Sequence, residues 1–528
     1  MLTTVWLRRV ATTVVSAMPR VKRWIIVVHR WLGAGLSLLA LMWFATGIVV
    51  IYAPLPAFRA EFQAARLPVL DCARCTGTLR EAIGAMPGRD TTAHVRLGML
   101  LERPVWRYLG DDRRWHLIAA DLGASIDTVN GADAVRIATA AAGTGSAPVV
   151  DSSTISQPDQ WTLEGVLRNQ LPLHRIEFGD PARTRVYVSE RGGEVILETT
   201  RRERALAWMG AIPHFLYPRV LRARLGVWLN VVIILAGLGA LASLSGLIIG
   251  VWLLRLRARG AGPNRRSLSP YRDGWLRWHH YLGLVFGVFT FTWMLSGMLS
   301  VDPFDWSPGD EPTVRETLAL AGGALDATRF SLAPADAARI LGAALRLREL
   351  RALMVAGRPY WLGVDSASRT MIVRADSATP MASTSVASAI LDSAISATAS
   401  ARIVDRVELR APDDYYYPAY GVTRRFPVVR VRLADAAATA FYVDPSRGEI
   451  VLKEVTRSRA ERWLYAGLHD LDFRGIGTRR PLWDITVIGL LLGGLSLAVT
   501  SVVAAWRWLR AGRYGTIRSL WSFRRRPE

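Results

Sequence analysis

Four long apolar blocks, each flanked by arginine on at least one side, constrain this chain more than any other feature. They fall at about 24–53, 225–254, 279–301 and 483–506. Each meets the roughly 20 residues that a helix needs to cross a hydrocarbon core. The net charge is +22, and residues 1–23, 255–278 and 507–528 hold +17 of it. Short basic segments stay on the cytoplasmic side of a membrane. The expected topology therefore puts 1–23, 255–278 and 507–528 inside, and 54–224 and 302–482 outside. A basic chain also suits nucleic acid, but arginines that flank apolar spans are explained by topology, so no nucleic-acid partner is expected. The opening residues read as a basic flank of the first span and not as a cleaved leader, because that span is too long for a leader's apolar region.

The chain repeats itself. His29-Arg30-Trp31-Leu32-Gly33 returns as His279-His280-Tyr281-Leu282-Gly283, 250 residues later, and Thr46-Gly47 returns as Ser296-Gly297 at the same offset. Trp208, His214, Trp228 and Ser245 return as Trp463, His469, Trp483 and Thr500, each 255 residues later. Arg103-Pro104-Val105-Trp106 and Arg358-Pro359-Tyr360-Trp361 keep the 255 offset. So do Tyr187-Val188 with Gly193-Glu194, matched by Tyr442-Val443 with Gly448-Glu449. One offset held across so many rare residues reads as an internal duplication of a span–lobe–span half. Within the lobes, β-branched and aromatic runs such as Arg185-Val186-Tyr187-Val188 end in glycine turns and predict strands. Leu79–Ile83 and Ala335–Ile340 read as helices, the second with Pro334 at its start. The fold expected is a four-span membrane helix bundle carrying two α+β lobes. The Ser- and Ala-rich stretch 382–400 fits a helix or a linker.

Four of the eight histidines head the matched spans. His29 and His279 begin spans that run outward, and His214 and His469 precede spans that run back. Each pair should share one depth, one pair per membrane face. Two imidazoles at one depth on facing helices are what a bis-histidine haem requires, and helix bundles build such sites from inward side chains. Small residues follow each inner histidine: Gly33, Ser37 and Ala40 after His29, and Gly283, Gly287 and Thr290 after His279. Such a strip serves close helix packing equally well; a histidine heading both strips favours a flat macrocycle. Arg30, with Arg23 and Arg277, suits haem propionates or snorkelling to the interface. His280 competes with His279 for the inner position, and the shared pattern His-x-aromatic-Leu-Gly selects His279. His94, His116 and His174 have no histidine at the matched position and read as ordinary lobe residues.

Cys72 and Cys75 are the two cysteines, separated by two residues. Outside the cell they should bridge, as a structural disulfide or as a redox pair; Thr76 rules out a C-x-x-C-H haem attachment. No nucleotide-binding loop, nucleophile elbow or zinc-protease motif is present. Two aromatic segments, Asp413–Pro418 and Asp302–Trp306, suit acceptor contact, lobe packing or interfacial anchoring.

These residues carry a family resemblance. His29–Gly33 running to Thr46-Gly47 resembles the first span of PepSY-associated membrane-helix proteins. Leu468-His469-Asp470 followed by Gly475, Arg479 and Trp483 is similar to their last span. The resemblance covers nearly the whole chain, with PepSY-like modules as the lobes. The family includes bacterial inner-membrane ferric-siderophore reductases that hold b-type haem. It implies two haems, with His29 and His279 as inner ligands and His214 and His469 as outer ones. It also implies a cytoplasmic or quinol donor, a periplasmic ferric-siderophore acceptor and periplasmic lobes. The chain differs from the family at the His279-His280 doublet, at Phe215, where an acid usually follows the histidine, and in having Cys72 and Cys75. Three rival functions stay open: a non-redox PepSY binding module, a permease, and a haem-dependent reductant of a periplasmic disulfide.

Overall fold

The computed structural model describes residues 2–58, 60–89, 95–143, 145, 147–259, 269–271, 273–417, 423–473, 475–477 and 479–511. His94 and Pro418 lie outside the described residues. The chain forms two compact units. One comprises Met1–Pro54, Trp208–Trp306 and Glu461–Glu528; the other comprises Leu55–Ala207 and Ser307–Ala460.

The first unit holds four helices long and apolar enough to cross a membrane: Arg20–Val50, Leu225–Arg255, Gly274–Leu299 and Leu482–Arg510. We call them spans 1 to 4. They cover the four apolar blocks, and the third is entered by an Asp273 N-cap whose carboxylate accepts from the Leu276 amide. Spans 1 and 3 each pack chiefly on spans 2 and 4. The four therefore form a square, with 1 and 3 on one diagonal and 2 and 4 on the other. Residues 208–224 and 461–481, expected with the lobes, fold with this helical unit. Their apolar side chains explain it: Ala211 and Ile212 are buried, and Leu471 and Ile476 pack on Phe44, Trp293 and Trp483.

The second unit is built on antiparallel sheets. Its strands in the first half are β1 (Val95–Leu100), β2 (Arg103–Leu109), β3 (Trp115–Ala119), β4 (Ser125–Ile126), β5 (Val149–Ile155), β6 (Leu173–Phe178), β7 (Arg185–Ser189) and β8 (Val195–Thr199). Those in the second half are β9 (Leu347–Val355), β10 (Arg358–Asp365), β11 (Thr370–Arg374), β12 (Ala382–Ser383), β13 (Ile403–Leu409), β14 (Val428–Leu433), β15 (Ala440–Asp444) and β16 (Glu449–Glu454). β5–β8 and β13–β16 are four-stranded sheets, while β1–β4 and β9–β12 merge into one eight-stranded sheet.

That merger departs from the expectation of two separate lobes. β1 pairs with β9, Val95 opposite Ala352, Arg96 opposite Arg351 and Leu97 opposite Leu350. Either strand alone would expose a row of unpaired amides and carbonyls, and joining them satisfies both. One core then runs beneath the seam, with Val95, Leu97, Trp106, Leu347, Leu350 and Trp361 all buried. Trp106 and Trp361, matched at 255, lie with ring centroids 6.1 Å apart. The facing arginines are neutralised by buried carboxylates: Arg96 pairs with Glu349 at 2.9 Å and Glu194 at 3.2 Å, and Arg107 with Glu194 at 3.0 Å. Arg351 also pairs with Glu349.

The Ser/Ala stretch resolves into β12 and a helix at Ser388–Thr398 that buries Leu391, Ala394 and Ile395. The Asp413–Tyr417 aromatic segment packs inside its lobe. Tyr416 and Tyr417 are buried, Tyr416 stacks on Tyr442, and Asp413 accepts from Tyr442 and Arg430. In the helical unit Phe304 is almost fully exposed, while Trp306 donates to the Leu299 carbonyl.

Candidate metal centres

Each of the four matched histidines meets its partner across a diagonal of the bundle. His29 of span 1 and His279 of span 3 have ring centroids 6.3 Å apart. His214 and His469, which precede spans 2 and 4, have centroids 6.4 Å apart. Two imidazoles bound on opposite sides of one metal at about 2 Å each stand roughly 6 Å apart between centroids. Both pairs have the separation of axial ligands. The pairs occupy opposite ends of the bundle: Thr46, which touches His214, lies 17 residues after His29 on the same helix, a rise of about 25 Å.

Hydrogen bonds fix the chemistry of each ring. At all four rings the bonds formed among the described residues fall on Nδ1. His29 Nδ1 meets the Ala242 carbonyl at 3.0 Å. His214 Nδ1 meets the Trp43 carbonyl at 3.2 Å and Thr46 Oγ1 at 3.3 Å. His469 Nδ1 meets Ser296 Oγ at 3.0 Å, and His279 Nδ1 meets Thr500 Oγ1 at 3.3 Å.

A carbonyl only accepts, so His29 and His214 must carry their proton on Nδ1. The hydroxyls lead to the same answer for the other two rings. Thr46 already donates to the Met42 carbonyl, Ser296 to that of Thr292 and Thr500 to that of Leu497. With its proton committed, each hydroxyl oxygen accepts from Nδ1–H. All four imidazoles are held as the tautomer whose Nε2 lone pair is free for a metal, the orienting role that partners behind metal-bound histidines play.

The backbone is clamped as well. Trp43 donates to the His214 carbonyl at 2.9 Å, and Trp293 to that of His469 at 2.8 Å. Trp228 donates to Phe215 and Trp483 to Asp470. Glycines admit the rings: a Cβ on Gly47 would stand 3.4 Å from His214 Cε1, and one on Gly297 3.5 Å from His469 Cε1. A Cβ on Gly246 would stand 2.6 Å from His29 Cε1, a distance real side chains do not tolerate.

The remaining predicted residues separate by position. Around Gly33 a Cβ would meet nothing within 4 Å and around Gly283 only Leu497 at 3.9 Å, so there is room beside the inner pair at these two positions; further along the strip Leu247 closes the space, 2.9 Å from a Cβ on Gly287. Arg30 makes no ion pair among the described residues. His280 is buried and turned to span 2, its Nε2 bonded to the Gly250 carbonyl at 3.2 Å. It is not brought to His29; His279 is. His174 is a satisfied core residue between Thr154 and the Val129 carbonyl, and His116 stacks on Tyr108. Cys72 and Cys75 are bridged, with Cα atoms 4.8 Å apart, and pack against the core beneath the seam.

Trp43, Trp293, Ala242, Gly246 and Ser501, whose hydroxyl lies 3.4 Å from His279 Nδ1, were not singled out from sequence. The two tryptophans carried a usable signal, since they lie 250 residues apart and each 14 residues after an inner histidine. The Ala242 contact runs through a backbone carbonyl, which no side-chain pattern reveals.

No group of three or more metal-ligating side chains forms among the described residues. A bare zinc site wants three or four such groups; a metal already held in a macrocycle's plane wants two. Two opposed imidazoles are the donor set of a bis-histidine haem, and Gly33 and Gly283 leave room beside the inner pair. No protein-family model matches the chain, and no curated protein matches it.

The positioning hydroxyls give a direct expectation. Thr46→Val with Ser296→Ala removes the hydroxyl acceptors of the outer pair while leaving all four ligands. The fitted outer site should bind haem about tenfold more weakly, as loss of a ligand's orienting partner costs 10–100-fold. Haem titration of the apoprotein, followed by absorbance, measures this; an unchanged affinity would show that the hydroxyls do not orient the rings.

Proposed function

We propose that this protein carries electrons across a bacterial inner membrane through two b-type haems. His29 with His279 holds one, and His214 with His469 holds the other. The observation that carries this reading is the opposition of four tautomer-locked imidazoles in two pairs, 6.3 and 6.4 Å apart, at the two ends of one bundle. Haem iron between two imidazoles exchanges one electron without changing its ligands. The chain's own part is to hold each Nε2 toward its partner, to keep the proton on Nδ1, and to surround both pairs with apolar side chains. One site could not serve both faces, because the pairs are separated by about 25 Å of helix.

The arginine-rich flanks favour cytoplasmic termini and periplasmic lobes. The acceptor we propose is a ferric siderophore, on the strength of the resemblance to PepSY-associated reductases; the donor is cytoplasmic or a quinol. Reduction to ferrous iron loosens the grip of hard oxygen donors and frees the metal. We read the chain as a duplicated half with PepSY-like lobes. In support, β1 and β9 pair about Arg96 and Arg351, themselves 255 residues apart.

Visible spectra of the purified protein, oxidised and dithionite-reduced, test the reading. A six-coordinate b-type spectrum that is fully reducible is expected, with about two haems per chain. Lack of a Soret band after expression with ample haem would leave a membrane-anchored binding module in its place.

A further inference from the structure

The second half of the sheet unit carries an open pocket of about 540 Å³ that the electron path does not use. It lies between the β10–β11 turn, residues 366–370, and the segments around Arg425 and Ser446. Its polar lining is mostly hydroxyls: Ser366, Ser368, Thr370, Thr423 and Ser446. Two guanidiniums complete it, and they differ. Arg369 is paired with Asp365 at 2.6 Å. Arg425 donates to the Ser368 carbonyl at 2.8 Å and has no carboxylate partner among the described residues. The pocket thus presents one uncompensated positive charge amid hydroxyls.

The matched positions of the first half show how the pocket arises. The local backbones agree: Ser368 and Arg113, 255 apart, have φ of 60° and 59°. The side chains do not. Where the second half has Ser366, Ala367, Ser368, Thr370, Thr423 and Ser446, the first has Asp111, Asp112, Arg113, Trp115, Arg168 and Arg191. Every one of these large side chains is replaced by a small one. The exchange at Arg425 runs the other way, with Gln170 as its counterpart. Space has been opened and a single cation placed in it.

We propose that this pocket binds an anionic, oxygen-rich small molecule of the polycarboxylate chelate class, with Arg425 as the charged anchor and the Ser366 and Thr423 hydroxyls as secondary partners, since Ser446 already donates to Asp444 and Thr370 to Ser446. A volume of this size lies within the range of small-molecule sites, and an arginine presents its N–H groups in the geometry a carboxylate accepts. The choice of ligand rests on the function proposed above, for it makes this pocket the seat of the acceptor's organic shell; the binding does not depend on haem.

Calorimetric titration of the full chain in detergent with gallium(III) citrate, which cannot be reduced by haem, tests the proposal. Saturable binding is expected in the wild type. Arg425→Ala should weaken it at least about tenfold. Ser446→Arg, which restores the first half's side chain, should abolish it by filling the pocket. Circular dichroism and haem content of both variants should match wild type, which separates a lost site from a lost fold. Absence of saturable heat in the wild type, or equal affinity in wild type and both variants, overturns the proposal. Binding in a preparation with no Soret band would retain the pocket and reject the electron carrier; the reverse result would reject the pocket alone.

Discussion

Replacing His214 and His469 together with alanine should lower bound haem from about two per chain to about one, and replacing all four histidines should remove it. The expectation follows from geometry. Each metal would be held by one imidazole from each histidine of a pair, and among the described residues no His, Cys, Asp or Glu joins either pair in a three-membered metal-ligating group. His280 cannot rescue His279, because its ring is turned to the Gly250 carbonyl of span 2. Haem content by pyridine haemochrome, against protein by amino-acid analysis, gives the ratio directly. Single variants should keep part of their haem with an altered, five-coordinate spectrum. Full haem content in the four-fold variant would place the cofactor elsewhere. His280→Ala supplies the internal control and should leave the ratio unchanged.

The second large effect is one of stability. Glu349→Ala at the β1–β9 seam should destabilise the sheet unit by about 3–5 kcal/mol, the cost of leaving buried charge unpaired. Glu349 is buried beside Arg96 and Arg351, and Arg107 adds a further positive charge. Burial alone would raise the Glu349 carboxyl; Arg351 and Arg96 outweigh it and push it down to about 2, from an ordinary 4.5. The sign of the pH effect follows. A carboxyl whose folded pKa is depressed stabilises the fold fully above its unfolded value, and loses that contribution as pH falls from about 4.5 toward 2. Denaturant unfolding of the full chain, read by loss of the β-sheet circular dichroism signal, should show this acid loss in wild type and its near absence in the variant. Equal stability of the two at neutral pH would mean the cluster is not held by charge.

The apolar blocks and the histidine spacing were legible because both depend on side-chain identity at fixed intervals. The spans came within a few residues at most ends, and the four histidines do meet in the expected pairs. The seam was not legible. It joins strands about 250 residues apart and sets Arg96 against Arg351, a like-charge pairing that local reasoning rejects; only the carboxylates of Glu194 and Glu349, brought in from other turns of the chain, make it tolerable. The lobe's end, expected at 224, differs from the unit boundary at 207/208 for a related reason. Residues 208–224 are too broken by Pro213 and Pro218 to read as part of a span, yet their apolar groups are buried with the bundle. Ser245, Thr46, Ser296 and Thr500 stood out as repeat markers, but that each orients an imidazole became visible only with helices in place.

The committed hydroxyl protons have a consequence for assembly. Because Thr46, Ser296 and Thr500 spend their hydrogens on carbonyls of their own helices, the rings they face need no rearrangement of protons when a metal arrives. A receptive lone pair is ready as soon as the helices meet. Under the function proposed above, helix formation and cofactor loading would then be separable steps.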